Sequence, residues 1–363
     1  MGAALRLARR GLGNVWPNPA VGCVLVAAGA GDGRVVGRGW TMPGGRPHAE
    51  TEALARAGDS ARGATAYVTL EQCSHRGETG PCADALFEAG IARAVVAIED
   101  PDPRVSGSGL AHLRKGGVEV ALGVGAEEAA ELNAGYLLRV REGRPLVTLK
   151  TASTLDGRIA THGGESHWIT GEPARAQVHG LRARHDAIMI GIGTALADDP
   201  RLTCRLPGLE GRSPIRIVVD GRLRLPLTSR LVATAAETPT WLIARQGGDR
   251  QRLRAFRDSG VDVIELPADH HDQPPLDRIL AELAARGLTR VLVEGGSYLA
   301  AGLLAQSLVD RIVWHRAPSM IGGDGIPVAQ PFGVNRLAEA AGFVRTGFSQ
   351  AGEDLVETYE RRG

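Results

Sequence analysis

The residues best suited to chemistry lie early in the chain. Pro47-His48-Ala49-Glu50 is followed by Cys73 and Cys82, with eight residues between the two thiols. One imidazole and two thiolates suit zinc, which favours nitrogen and sulfur donors in a tetrahedron. Three protein ligands leave a fourth position for water, the pattern of a catalytic rather than a structural site. Zinc lowers the pKa of its water, giving a hydroxide able to attack an amidine-like ring carbon. Glu50, two residues from the imidazole, could move protons to the ring nitrogen and the leaving ammonia without binding the metal. His48 as a helix cap and two cysteines as small buried hydrophobes is the plain alternative. Cys73 after a strand and Cys82 opening a helix at Pro81-Cys82-Ala83 favour the metal. His75 as a fourth ligand would close the site to water.

His-x-Glu with a Pro-Cys pair is the arrangement of zinc deaminases, although their thiols are usually two residues apart. A second set of residues lies far downstream. Val291-Leu292-Val293-Glu294-Gly295-Gly296-Ser297 is a strand ending in two glycines, with a helix opening at Ser297. Free N–H groups at a helix start bind phosphate, and missing side chains let a pyrophosphate approach. Gly191-Ile192-Gly193-Thr194 forms a second such turn. Leu196 breaks the G-x-G-x-x-G fingerprint there, which argues against a Rossmann domain.

These residues need a scaffold of strands and helices. Ala20–Ala28 and Val35–Gly39 predict a hairpin, and Ala66–Leu70, Ala92–Ile98 and Val118–Leu122 predict further strands. Helices are expected over Thr51–Ala57, Ala83–Ala89 and Leu110–Gly116, after a first helix carrying Ala4, Leu5, Ala8 and Leu12. A break falls at Arg141-Glu142-Gly143-Arg144-Pro145. Beyond it, strands at Pro145–Thr151, Ala187–Ile192, Ile215–Asp220, Thr240–Ala244, Val261–Leu266, Arg290–Glu294 and Arg311–His315 alternate with helical runs. The alternation predicts layered α/β architecture, with one domain over 1–143 and another over 144–363.

The 363 residues suggest two to three domains at roughly 150 residues each. There are 42 basic and 41 acidic residues, so the basic excess of a general nucleic-acid binder is missing. The longest apolar run, Ala20 to Gly31, is too short and too glycine-rich to span a bilayer. A cytoplasmic protein is expected, with its four cysteines reduced or bound to metal.

Several segments resemble the bifunctional deaminase/reductase family of riboflavin biosynthesis. Trp16-Pro17-Asn18-Pro19-Ala20-Val21-Gly22 is similar to its opening motif. Tyr67–Glu71 with Cys73-Ser74-His75 and Pro81-Cys82-Ala83 is similar to its zinc segment, including the long inter-cysteine spacing. Asp100-Pro101-Asp102-Pro103-Arg104-Val105, Lys150–Ala160, Gly164–Thr170 and Gly193–Thr203 resemble further stretches. Gln72 replaces a usual proline, Gly80 another, Arg76 stands where a histidine or aromatic is common, and Gly221 replaces a frequent serine.

The resemblance implies a cytidine-deaminase-like zinc domain followed by a dihydrofolate-reductase-like domain. It implies zinc-dependent deamination of 2,5-diamino-6-(5-phosphoribosylamino)pyrimidin-4-one, then NADPH reduction of the ribosyl to a ribityl chain. Asn18, otherwise a turn residue between prolines, would hydrogen-bond the pyrimidine near His75. Substrate contacts in the second domain would be Ser166, Arg182, Leu202, Arg205 and Glu294. NADPH would lie near Ala152, Trp168, Thr194, Asp198, Gly221 and the loop of Gly296, Ser297, Tyr298, Leu299, Ala300, Ala301 and Gly302. Asp198 and Glu294 are the carboxyl candidates for a proton source. The expected partners are a pyrimidine ribosyl phosphate and further copies of the chain, with no nucleic acid and no membrane. A nucleic-acid deaminase, a half-active relic and a closed zinc interaction module are the rival readings.

Overall fold

The computed structural model describes residues 1–29, 33–74 and 80–362. It divides into two compact units, Met1–Gly143 and Arg144–Gly363.

In the first unit, α1 (Gly2–Ala8), β1 (Gly22–Val26), β2 (Val35–Trp40), α2 (Ala49–Ala57), β3 (Thr65–Val68), α3 (Cys82–Glu88), β4 (Arg93–Val96), α4 (Ser108–Lys115), β5 (Glu119–Leu122), α5 (Ala126–Leu132) and α6 (Ala134–Glu142) follow one another. The strands form one sheet in the order β2-β1-β3-β4-β5. β1 is antiparallel to β2 and β3, and β3, β4 and β5 are parallel. The predicted hairpin is present as β1 and β2. Two glycines of β2 let α2 lie close to it. A Cβ on Gly37 would sit 2.2 Å from Ala53 O, and one on Gly39 2.0 Å from Ala49 O. Only glycine permits that approach, and it seats the start of α2 against the sheet. Ala49, Glu50 and Ala53 are consequently buried.

The second unit runs through β6 (Leu146–Ser153), β7 (Arg158–Ala160), α7 (Glu172–Arg182), β8 (Ala187–Gly191), α8 (Ile192–Asp198), β9 (Ile215–Val219), α9 (Arg230–Ala233), β10 (Thr240–Arg245), α10 (Arg250–Asp258), β11 (Asp262–Leu266), α11 (Leu276–Ala285), β12 (Arg290–Glu294), α12 (Ser297–Ala305), β13 (Arg311–Arg316), β14 (Ile326–Pro327), β15 (Phe343–Ala351) and β16 (Asp354–Arg361). Nine strands pair in the order β11-β10-β9-β8-β12-β6-β13-β16-β15. They are parallel from β11 through β13, and β16 and β15 add an antiparallel edge. β7 and β14 form a separate two-stranded pair. Every residue of β12 is buried, as are Ala187–Ile190 of β8. Near-continuous apolar runs of this kind mark central parallel strands covered on both faces. Asp249 caps α10, its carboxylate accepting from the N–H groups of Gln251 and Arg252 at 2.8 and 3.0 Å. Leu253 and Phe256 of that helix turn inward.

Candidate functional site

In the first unit, His48 stands at the N-terminus of α2, Cys73 in the segment after β3, and Cys82 at the first position of α3. Their ligand atoms all lie within 4.8 Å of one another. His48 Nδ1 is 3.3 Å from Cys82 Sγ and 3.7 Å from Cys73 Sγ. No hydrogen bond from the His48 side chain caps α2. Hydrogen bonds from Cys82 and then His48 bring the Cys73 thiol down to about 4, which favours the thiolate a cation needs. Two sulfurs and one nitrogen at this spacing fit zinc. Glu50 is buried beside them, and burial pushes its carboxyl up to about 7.

A cavity of about 570 Å³ opens over this cluster, lined by Asn18, His48, Glu50, Cys73, Asp100, Asp102, Arg104 and Tyr136, among others. The segment carrying Asn18 is pinned from both sides. Thr41 Oγ1 accepts from Val21 N and donates to Pro19 O, while the Asn133 amide pairs with both backbone groups of Ala20. Buried Glu71 fixes the opposite wall. Its carboxylate accepts from the N–H groups of Asp100, Gly107, Gly109 and Leu110. Tyr136 donates to Asp100 at 3.0 Å, and burial raises the Asp100 carboxyl. Asp100, Asp102 and Tyr136 carried no assigned role in the sequence reading. His75 and Arg76 lie outside the described residues.

The second unit holds a cavity of about 580 Å³. It brings together Ala152, Ser166, Trp168, Arg182, Asp198, Leu202, Arg205 and Glu294. Arg182 grips Glu294 with two parallel bonds, Nε to Oε1 and Nη2 to Oε2, both 2.8 Å. Its Nη1 donates to Thr203 O at 3.0 Å. Burial opposes ionisation of Glu294, yet the Arg182 charge and hydrogen bonds, with Lys150 beside them, hold its carboxyl below the usual range. Lys150 is half-buried, and loss of water around it pulls its ammonium down. Sequence reasoning gave Lys150 no role, because nothing local marks it. The parallel register of β6 and β12 sets it directly opposite Glu294. Trp168 is 71% exposed, with the Arg175 guanidinium 4.4 Å from its ring centre. Partial loss of water in the pocket also raises the Asp198 carboxyl.

Thr194 and the run 296–302 lie outside the lining of that cavity. Gly295 and Gly296 have φ of 76° and 87°, and a Cβ on either would meet Thr194 at 3.3 Å. This is a turn that only glycine makes comfortably. The run is a loop only at Gly296, which corrects the expected loop over 296–302. α12 begins at Ser297, and Leu299, Ala300 and Ala301 face the interior. Among the described residues no hydrogen bond is made by the backbone N–H groups of Gly296, Ser297 and Tyr298 at the helix start, and Tyr298 is exposed. Gly221 follows β9 and, like Thr194, lies outside the lining of that cavity.

The cytidine and deoxycytidylate deaminase zinc-binding region matches residues 1–98, and the RibD C-terminal domain matches residues 145–352. The riboflavin biosynthesis protein RibD of Escherichia coli (strain K12) is 40% identical over 366 residues, covering 98% of this chain and 96% of its own. The chain belongs to the RibD family. RibD of Aquifex aeolicus (strain VF5) is 39% identical and covers 99% of the chain and 97% of its own. The solved Acinetobacter baumannii RibD (form 1) superposes with a TM-score of 0.89 at 36% identity, covering 100% of this chain and 98% of its own. A Thermotoga maritima structure, described as a diaminohydroxyphosphoribosylaminopyrimidine deaminase/5-amino-6-(5-phosphoribosylamino)uracil reductase, gives 0.85 at 34% identity, covering 100% and 97%. As a RibD protein, the chain is a bifunctional deaminase/reductase of riboflavin biosynthesis, with a cytidine-deaminase-like zinc domain and a RibD reductase domain of the NADPH-using kind. No helix among the described residues is long and apolar enough to cross a membrane. Gln72, one residue from the Cys73 thiol, is wholly buried, and neither amide atom finds a hydrogen-bond partner among the described residues.

Proposed function

We propose that residues 1–143 deaminate 2,5-diamino-6-(5-phosphoribosylamino)pyrimidin-4-one and that residues 144–363 then reduce its ribosyl group to ribityl. The observation that carries this reading is the pairing, in one chain, of the His48–Cys73–Cys82 cluster beside buried Glu50 with the Lys150–Arg182–Glu294 pocket.

His48, Cys73 and Cys82 would hold one zinc ion, which when bound activates water as a Lewis acid. Glu50 takes the proton from the attacking water and delivers it to the ring nitrogen and the departing ammonia. Asn18 orients the pyrimidine from the pinned 17–21 segment, and His75 is assigned to the same ring. Substrate is held in the second pocket by Ser166, Arg182, Leu202, Arg205 and Glu294. Arg205 is exposed at the rim, free to meet a phosphate with its guanidinium fork. NADPH, the hydride source when bound, would contact Ala152, Trp168, Thr194, Asp198, Gly221 and the Gly296–Tyr298 turn. Lys150 keeps a positive donor beside Glu294, where charge changes as the ribose carbon is reduced. The enzyme is read as a cytoplasmic homo-oligomer. Edge strand β15 supports the assembly, because its Val344 and Phe348 are 51% and 70% exposed.

Following ammonia and NADPH separately on the phosphorylated pyrimidine tests the division of labour. Glu50→Gln is expected to lower ammonia release by about 10²–10⁴-fold and to spare NADPH oxidation on deaminated substrate. Normal ammonia release by this variant would remove Glu50 from its role.

A further inference from the structure

The carboxyl ends of β12, β8, β9 and β10 stand side by side in the sheet. Ligands of open α/β sheets bind along this edge. Gly295-Gly296 follows β12, Gly191 ends β8 and Thr194 follows it, Gly221 follows β9, and Arg245 ends β10. Arg245 N donates to Gly221 O at 3.2 Å, so the last two meet. A dinucleotide whose reacting end lies at the Lys150–Glu294 pocket and whose phosphates cross the glycine turns therefore has its far end at β9 and β10. The far end of NADPH differs from that of NADH by one phosphate on the adenosine ribose.

Two guanidinium groups converge there on a single carboxylate. Arg222 Nε is 3.5 Å from Asp272 Oδ2, and Arg245 Nη1 is 3.1 Å from Asp272 Oδ1. One negative charge between two positive ones leaves an excess of one, which a phosphate dianion neutralises better than a carboxylate. Buried Nε of Arg245 has no partner among the described residues. The third arginine nearby, Arg224, faces Asp220 at 3.7 Å instead.

Both sides of this cluster are rigidly supported. The 220–225 turn is tied by Leu225 N to Asp220 Oδ2 at 2.8 Å. Arg252 donates to the carbonyls of Leu223 and Leu225, also at 2.8 Å. Asp272 is presented by a turn that Asp269 organises through the N–H groups of His271 and Gln273. It sits at φ 60°, a left-handed conformation. That turn presses on Gly221, where a Cβ would lie 2.6 Å from Gln273 Oε1. The serine frequent in the family at this position would have to displace the Gln273 side chain, and with glycine here the side-chain contact it would offer falls to the neighbouring arginines. All three charged side chains remain accessible, at 56%, 36% and 47% exposure for Arg222, Arg245 and Asp272.

We propose that Arg222 and Arg245 read the 2′-phosphate of NADPH, and that Asp272 fills their fork until the phosphate displaces it. This rests on the reading of the second domain as an NADPH reductase. The full chain is titrated with NADPH, with NADH and with adenosine 2′,5′-bisphosphate by calorimetry, without turnover. Wild type should prefer NADPH over NADH. The double variant Arg222→Gln/Arg245→Gln should lose on the order of ten- to a hundredfold in affinity for NADPH and the bisphosphate, with NADH binding unchanged. Arg245→Lys should restore part of the loss in a single-variant background. Asp272→Asn, which keeps a residue tolerant of the left-handed backbone, should tighten binding of both phosphorylated ligands and leave NADH alone. A double variant that still prefers NADPH overturns the arginine assignment and leaves the reductase reading standing. Looser NADPH binding in Asp272→Asn overturns the competition by Asp272. A wild type that binds neither dinucleotide overturns the reductant reading and this proposal with it.

Discussion

Glu50 and Glu294 are both buried glutamates lining a reaction pocket, yet their carboxyls move in opposite directions. Glu50 meets two sulfurs and an imidazole, its burial outweighs the pull of the His48 ring, and its carboxyl rises to about 7. Glu294 suffers the same loss of water, but Arg182 grips both oxygens and Lys150 lies in register beside it, and its carboxyl falls. Burial sets the sign of a shift only where no permanent charge is built in beside the group. The first site is thereby suited to moving protons, and the second to holding a fixed arrangement of charge around its substrate.

The sharpest way to break this contrast is to take away the cation. Arg182→Met leaves Glu294 buried without its bidentate partner, which should cost about 3–5 kcal/mol of stability in denaturant unfolding. Adding Glu294→Gln should return much of that loss, since no uncompensated charge is then buried. A single variant as stable as the parent would show that the pair does not set the state of Glu294. On the other side of the comparison, Cys82→Ser should lower the zinc content measured by elemental analysis while NADPH oxidation on deaminated substrate persists. Unchanged zinc would remove Cys82 from the ligand set.

Acid should separate the two units further. His185 is fully buried as a neutral ring, bonded to Leu181 O and Thr148 Oγ1, and burial brings it down to about 3. His315 is brought down to about 4 by burial and the neighbouring Lys150. Unfolded histidine titrates near ~6.5. The stability held by these neutral rings is therefore complete above that pH and is lost as pH falls towards 4 and 3. Asp100 in the first unit and Asp186 in the second act in the opposite sense, because their raised carboxyls bind a proton more readily when folded, so the contrast between the units rests on His185 and His315. Amide exchange at pH 7 and pH 5 should show protection falling in β6, β8 and β13 before β1, β3 and β4. Equal loss in both units would contradict this order. The smallest effect is expected at Gln72. Replacing its amide, which has no partner among the described residues, by Gln72→Leu should add about 1 kcal/mol to stability, read as a higher midpoint of thermal unfolding.

Much of the scaffold is legible from local pattern. The apolar runs at Ala187–Ile190 and Arg290–Glu294 are central strands because both faces are covered. The C-terminal pair β15 and β16 went unread, since β15 is largely exposed and carries no clean alternation. The turn expected over Gly191–Thr194 is the end of β8 and the start of α8, because seven residues from Ile192 to Asp198 close into a helix.

The sequence by itself determined the first site almost completely. His48, Glu50 and Cys82 sit at helix starts and Cys73 follows a strand, so the donor set is recognisable by its spacing, although packing of α2 against the sheet is what brings His48 to thiols 25 and 34 residues away. Only the tertiary structure decided the charged heart of the second site. Lys150 meets Glu294 through the register of two parallel strands, and Arg182 reaches Glu294 across 112 residues of sequence. Parallel strands are joined by long crossovers, so their register is fixed by packing across the whole sheet rather than by any local run of residues. The same holds for Arg222 and Arg245, which on separate segments share the Asp272 carboxylate only once the edge of the sheet has formed.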